Sequence, residues 1–215
     1  VPGVSSYLSS LPSLARGFAT TFGISVAAMI LAVAIGFVFG ILRSQLPRAI
    51  DAPILAVIEF FRGIPLLVLM YFLFFGLPQL GIHTSNSGAA IAALALYAGS
   101  LGSEIVRGAI ASIAYGQTEA ASALGLGRMQ ILLLVILPQA LRRMLPPFVG
   151  LFALIVESSS LASLIDVTDL LQSAHQNVER DNDIALPVYL TVLLGYFAIN
   201  YPISLASQRL EKRLT

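Results

Sequence analysis

Long runs without one charged side chain limit what this sequence can fold into. Residues 17–42 hold no Asp, Glu, Lys or Arg in 26 positions, residues 63–103 none in 41, and residues 184–208 none in 25. Residues 145–165 are apolar apart from Glu157 and a serine cluster. A crossing of the bilayer as a helix takes about 20 apolar residues. The 41-residue run is too long for one crossing. Its middle, residues 76–88, is rich in Gly, Pro, Asn and Ser and reads as an uncharged turn between two spans. Five spans are predicted, near 19–42, 54–77, 88–111, 141–163 and 184–207. The runs are continuous rather than alternating, which argues against a β-barrel. The expected fold class is an all-α integral membrane protein.

Composition excludes the other classes. Charged residues make up 11% of the chain and hydrophobic ones 57%, with a mean hydropathy of +0.89. A soluble domain carries about 25% charged residues, so this chain could not cover a globular surface, and such apolar content rules out disorder. There is no Cys and there are two His, so neither a disulfide framework nor a protein-only metal site is expected. His83 and His175 read as ordinary loop or surface residues. The net charge of +1 argues against a nucleic-acid partner. No internal repeat and no phosphate-binding glycine loop is visible.

Five spans put the termini on opposite sides, and basic residues decide which. With the C-terminus cytoplasmic, Arg43, Arg48, Arg107, Arg128, Arg142, Arg143, Arg209, Lys212 and Arg213 lie inside, against Arg16 and Arg180 outside. Arg62 falls within or near a span. The outer segment before span five then carries Asp166, Asp169, Glu179, Asp181 and Asp183, and 166–178 reads as a short outer helix. The chain opens at Val1 without a signal-peptide pattern, compatible with processing, trimming or an upstream segment.

The inner loop 115–138 is the most informative segment. Thr118 is placed to cap a short helix with Glu119 in its first turn. Ala120, Ala121 and Ala123 favour helix with little bulk. Gly125 and Gly127 end it in a sharp turn. A second short helix, interfacial or re-entrant, is expected over 129–136 and ends at Pro138. Two short helices of small side chains form a knob that a partner's groove can receive; the plain alternative is an amphipathic interfacial loop.

Each charge within a span needs a reason, because it costs roughly 2.5–3.5 kcal/mol there on insertion scales. Glu59 and Arg62 are three apart and can pair, just before a bend expected at Gly63 and Pro65. They either fix that bend or form a polar floor of the pathway. Glu104 and Arg107 repeat the spacing, which favours a structural pair. Glu157 stands beside Ser158, Ser159 and Ser160 with no basic neighbour in sequence, which favours a pathway role over pairing with an arginine from another helix or subunit. Tyr71, Phe72, Phe74 and Phe75 read as packing or lipid contacts rather than a gate. Gly36 and Gly40 permit close helix contact.

The order Glu119-Ala120-Ala121, three residues, Gly125, nine residues, Val135, any residue, Leu137-Pro138 resembles the EAA signature of type I ABC importer permeases, with Val135 where Ile is usual. Further segments resemble the polar amino acid branch of that family. These are 20–25, the Glu59-Phe-Phe-Arg62-Gly63-Ile-Pro65 opening of span two, 97–110, 137–147 and 159–165. Ile64 stands where Thr is commoner. Glu157-Ser158 replaces the family's Lys-Asp or Lys-Asn. The resemblance implies one MetI-like transmembrane domain over 1–215, with the N-terminus outside and the C-terminus cytoplasmic. It implies a multi-pass protein of the bacterial plasma (inner) membrane. It also implies that Gly116, Thr118, Glu119, Ala120, Ala121, Gly125, Arg128 and Pro138 serve ATPase coupling. The implied partners are a second permease subunit, identical or not, two cytoplasmic ATP-binding subunits, and an extracytoplasmic amino acid binding protein or fused binding domain. ATP and Mg belong to the ATPase, so the chain itself is expected to be no enzyme and to hold no cofactor. The residues expected along the substrate pathway are Glu59, Arg62, Glu104, Glu157, Ser158, Ser159 and Ser160. The acid at Glu157 points to basic amino acids among the substrates. An ion-coupled carrier would show an inverted repeat and matched broken helices, and a membrane enzyme would show paired catalytic residues. Neither pattern is present.

Overall fold

The computed structural model describes residues 2–214, and of residues 2, 3, 213 and 214 the backbone alone. Val1 and the side chain of Arg213 thus lie outside the described residues.

The first uncharged run lies within one helix, α1 (Pro2–Gln45), of 44 residues. At 1.5 Å per residue it is about 66 Å long, roughly twice the hydrocarbon core of a bilayer. The predicted span 19–42 is therefore only part of it. Sequence reading missed the serine-rich start because its serines disfavour a span. In the helix they bond backward: Ser9, Ser10 and Ser13 each donate to a carbonyl three residues earlier, at 2.7 Å.

The second predicted span is broken in two. Helix α2 (Arg48–Gly63) ends at Ile64, which is extended ahead of Pro65 as a residue preceding proline prefers. Helix α3 (Leu66–Tyr71) follows and widens into a π turn at Phe72–Gly76. The two limbs, Arg48–Gly63 and Leu66–Leu80, meet at 99°. Among the described residues four helices are long and apolar enough to cross a membrane, or five with this bent pair taken as one.

Helix α4 (Asn86–Ala111) is the centre of the bundle. The Ser85 side chain accepts from the Gly88 amide and caps it. Its buried face is small: Ala89, Ala90, Ala93, Ala98, Gly99, Gly102. That permits α1 to run along it at backbone contact. A Cβ on Gly36 would stand 2.9 Å from the Gly102 carbonyl carbon, and one on Gly40 would stand 2.6 Å from Val106. The expectation for Gly36 and Gly40 is met.

The loop after α4 departs most from the sequence reading. Helix α5 (Tyr115–Ala123) starts at Ala114, so Thr118 lies inside it and does not cap it. Gly125 turns the chain at φ +83°, a conformation glycine adopts freely. Helix α6 (Arg128–Gln130) opens with the Gly127 amide donating to Gln130 Oε1 at 2.9 Å. It does not end at Pro138. A π turn, Ile131–Ile136, leads directly into α7 (Leu137–Ser158) and a 3-10 turn, Ser159–Ile165. Pro138 follows directly on that π turn, and the widened turn accommodates its missing N–H within the rod. The expected short helix and the predicted span 141–163 are thus one rod, Arg128–Ile165.

Helix α8 (Leu170–Arg180) is the outer helix foreseen over 166–178, and α9 (Ala185–Leu214) contains the last predicted span. Leu170 and Ala174 of α8 pack with Leu14, Ile184 and Val188 in a second, smaller core. Contacts give the helix directions. Gly36 meets Gly102 and Gly40 meets Val106, so α1 and α4 run parallel. Arg143 meets Ser112 and Asn86 meets Ile165, so α7 runs against α4. Ser207 meets Pro146 and Tyr7 meets Thr191, so α9 runs with α1.

Candidate functional site

These directions sort the charges. The ends of α1, α4 and α9 and the start of α7 bring Arg43, Arg107, Arg142, Arg143 and Arg209 to one end of the bundle, with α5 among them. Asp166, Asp169, Glu179, Asp181 and Asp183 surround α8 at the other.

At the α5 end the turn presents small, uncovered surface. Gly116, Glu119, Ala120, Gly125 and Arg128 are exposed and Thr118 is half-buried. Ala121 is buried, packing in the main core with Ile131, Leu132 and Ile136. Pro138 is exposed on the rod beside them. The knob is thus held from below by Ala121 and Leu126 in the main core and by Gln117, which accepts from Gln139 of the rod.

The same end holds an ion network that sequence reading saw only in part. Arg43 is buried at the end of α1. Its Nε donates to Asp51 Oδ1 of α2 at 2.7 Å, and its Nη1 donates to Glu104 Oε1 of α4. Arg107 Nη2 donates to the other oxygen of Glu104 at 2.7 Å. The expected Glu104–Arg107 pair is present, and Arg43 makes it a bridge between three helices. Glu104 thus has both oxygens engaged by guanidinium groups. Arg43 read only as a marker of membrane side, and Asp51 carried no signal, because their contact depends on how α1 and α2 fold back on each other. Glu59 and Arg62 pair at 2.5 Å within α2, one residue before its broken end. Both are exposed, on a limb whose one buried residue is Ile58.

Glu157 lies at the far end of α7 and is exposed, with no ion pair among the described residues. Ser158 is half-buried and ends the α-helix. Ser159 donates to the Val156 carbonyl at 2.7 Å, and Ser160 donates to the Glu157 carbonyl at 2.8 Å. Ser159 is buried and its hydroxyl also bonds the Tyr196 side chain, whereas Ser160 keeps lone pairs to accept. Two turns on, Asp166 takes a left-handed conformation at φ 60° that ends the rod. The rod brings Glu157 and the serines together, whereas Glu59 lines one cleft with Asp51, Glu104 and Arg107.

A second cluster escaped sequence reading. Asp169 is fully buried between α1, α8 and α9. It caps α8 by accepting from the Gln172 amide at 2.7 Å, and Tyr196 OH lies 3.4 Å from its other oxygen. Thr21 accepts from the next amide, that of Leu170, at 3.1 Å. Burial pushes the Asp169 carboxyl up to about 6, against the opposing pull of the Gln172 amide and Tyr196. Among the described residues no group of His, Cys, Asp and Glu is placed to hold a metal ion.

A bundle of long apolar helices with one limb broken, an exposed small-residue knob at the basic end and a polar helix terminus at the other defines a polytopic membrane transport subunit. The chain belongs to the family of binding-protein-dependent transport system inner membrane components, which it matches over residues 32–215. It is 38% identical to the "Probable glutamine ABC transporter permease protein GlnP" of Bacillus subtilis (strain 168), over 93% of this chain and 92% of that one. It is 33% identical to the glutamine transport system permease protein GlnP of Escherichia coli (strain K12), over 95% and 94%. A crystal structure of an amino acid ABC transporter with histidines superposes with a TM-score of 0.87 at 26% identity, covering 97% of each chain. The fold is therefore that of the ABC importer permeases, and the chain is a permease subunit of the inner membrane rather than an enzyme.

Proposed function

We propose that this chain is the membrane-spanning subunit of an ATP-driven, binding-protein-dependent importer of polar amino acids, basic ones included. The whole chain, 1–215, works as one transmembrane domain with the α5 end cytoplasmic. Two such subunits, identical or paired with a second kind, line the pathway. Two ATP-binding subunits carry ATP and Mg and receive α5 through Gly116, Thr118, Glu119, Ala120, Ala121 and Gly125, with Arg128 and Pro138 flanking. A binding protein or fused binding domain delivers substrate at the α8 end.

The observation that carries the substrate reading is Glu157: an exposed carboxylate at a helix end in an apolar chain, without an ion pair among the described residues, beside the half-buried hydroxyls of Ser158 and Ser160. Such a group attracts a cation, and the serines complement the ammonium group of an amino acid. Glu59 and Arg62, on the weakly held limb at the bend, supply a second polar surface on the route. Glu104 anchors helices beside that route.

The test is uptake of labelled arginine and glutamate by the reconstituted complex bearing Glu157→Gln. Arginine uptake and arginine-stimulated ATPase are expected to fall about tenfold, with glutamate uptake unchanged or raised. Unchanged arginine transport, or a wild type that carries acidic amino acids alone, overturns the substrate reading.

A further inference from the structure

The rod Arg128–Ile165 joins the two ends of the molecule as one run of helical turns. Its base lies against the knob and its far end carries Glu157 and the serines. Between α4 and α5 the chain has a weak point: Ala114 is exposed and extended, at φ −57° and ψ 132°, and interrupts the helical path. A push on α5 could dissipate there.

Two side chains of the rod span that weak point. Arg143 Nη1 donates to the Ser112 carbonyl at 2.6 Å and contacts Ser112 Oγ at 2.9 Å. Ser112 is the residue that closes α4. A guanidinium on the terminal carbonyl of a helix is favoured by charge-assisted bonding and by the helix dipole. One turn earlier, Gln139 Nε2 donates to the Val135 carbonyl at 2.7 Å and to Gln117 Oε1 of α5 at 3.3 Å. The rod therefore grips the linker on both sides, at Ser112 before Ala114 and at Gln117 after it. From Arg143 to Glu157 the helix rises about 21 Å, at 1.5 Å per residue.

We propose that Arg143, seconded by Gln139, is a positioning residue that makes the knob and the rod one rigid body. Displacement of α5 by the ATPase then arrives at Glu157 as a tilt of the rod instead of being absorbed between residues 112 and 117. This rests on the reading of α5 as the docking knob and of Glu157 as part of the pathway.

The test uses the complete complex in liposomes, with ATPase and binding protein, and reads arginine taken up per ATP hydrolysed. Arg143→Gln is expected to assemble with the ATPase and to lower that ratio at least fivefold, with Arg143→Lys restoring most of it. The chain has no cysteine, so Ser112→Cys with Arg143→Cys gives a unique pair. That double variant is expected to be uncoupled as a free dithiol. A short bis-thiosulfonate bridge should bring it back to within twofold of wild type, and reduction should uncouple it again. The bridge carries no charge, so recovery cannot come from a contact of Arg143 with the ATPase. A fall of less than fivefold in Arg143→Gln, or a bridged protein that stays uncoupled, overturns the proposal. Glu119→Arg in the same assay reports separately on docking. If it still binds the ATPase, the assignment of α5 fails, whatever Arg143 does.

Discussion

At the scale of single residues, Asp169 is the clearest case of a group whose chemistry is set by its surroundings. An isolated aspartate has a carboxyl near 3.8; burial brings this one to about 6. An acid with a raised native value binds its proton more tightly in the folded state. Its ionisation therefore opposes folding: the penalty is absent below about pH 4 and complete above about pH 6, where a difference of this size amounts to about 3 kcal/mol. Wild-type complex is thus expected to melt at a higher temperature at pH 5 than at pH 7. Asp169→Asn keeps an N-cap acceptor without the charge. It should melt above wild type at pH 7 and lose that advantage at pH 4; equal melting temperatures at both would show that burial does not penalise the ionised carboxyl. In sequence, Asp169 was one of several outer acids. Nothing in a linear pattern distinguishes an acid that caps a helix under a tyrosine from its exposed neighbours.

Elements show how far periodicity and hydropathy reach. Glycine at 36 and 40 signalled a close helix contact, and the structure supplies the partner as Gly102 and Val106 of α4. Gly36→Val places a Cβ 2.9 Å from backbone that cannot yield. It should cost about 1–3 kcal/mol, as overpacking does, seen as a lowered melting temperature of the purified complex. Gly23→Val, where a Cβ meets nothing within 4 Å, is the control and should be neutral. The bend at Gly63 and Pro65 was legible because proline dictates the backbone before it. Pro138 misled for the same reason: its effect depends on its surroundings in a helix, and the π turn just ahead of it lets the rod continue through it. Helix α1 outran its predicted length because polar serines can bond to their own backbone, which hydropathy does not count.

For the whole molecule, the parallel and antiparallel contacts bring Arg43, Arg107, Arg142, Arg143 and Arg209 to one end, as a positive-inside arrangement requires. Single cysteines in this cysteine-free chain make that testable. In intact right-side-out cells a membrane-impermeant maleimide should label Glu179→Cys and leave Ser122→Cys unlabelled until the cells are opened. The reverse pattern would invert the topology. Membrane residence, helical class, the approximate spans and the glycine turn after α5 were all contained in the sequence, because lipid selects on local composition and a turn is a local string. Tertiary structure alone decided that Arg43 binds Asp51 and Glu104, that Asp169 is sealed under α1 and α9, and that the knob and Glu157 share one continuous rod. Those facts turn on which helices meet and in what direction, and backbone packing of small residues on α4 sets that at distances the sequence pattern does not record.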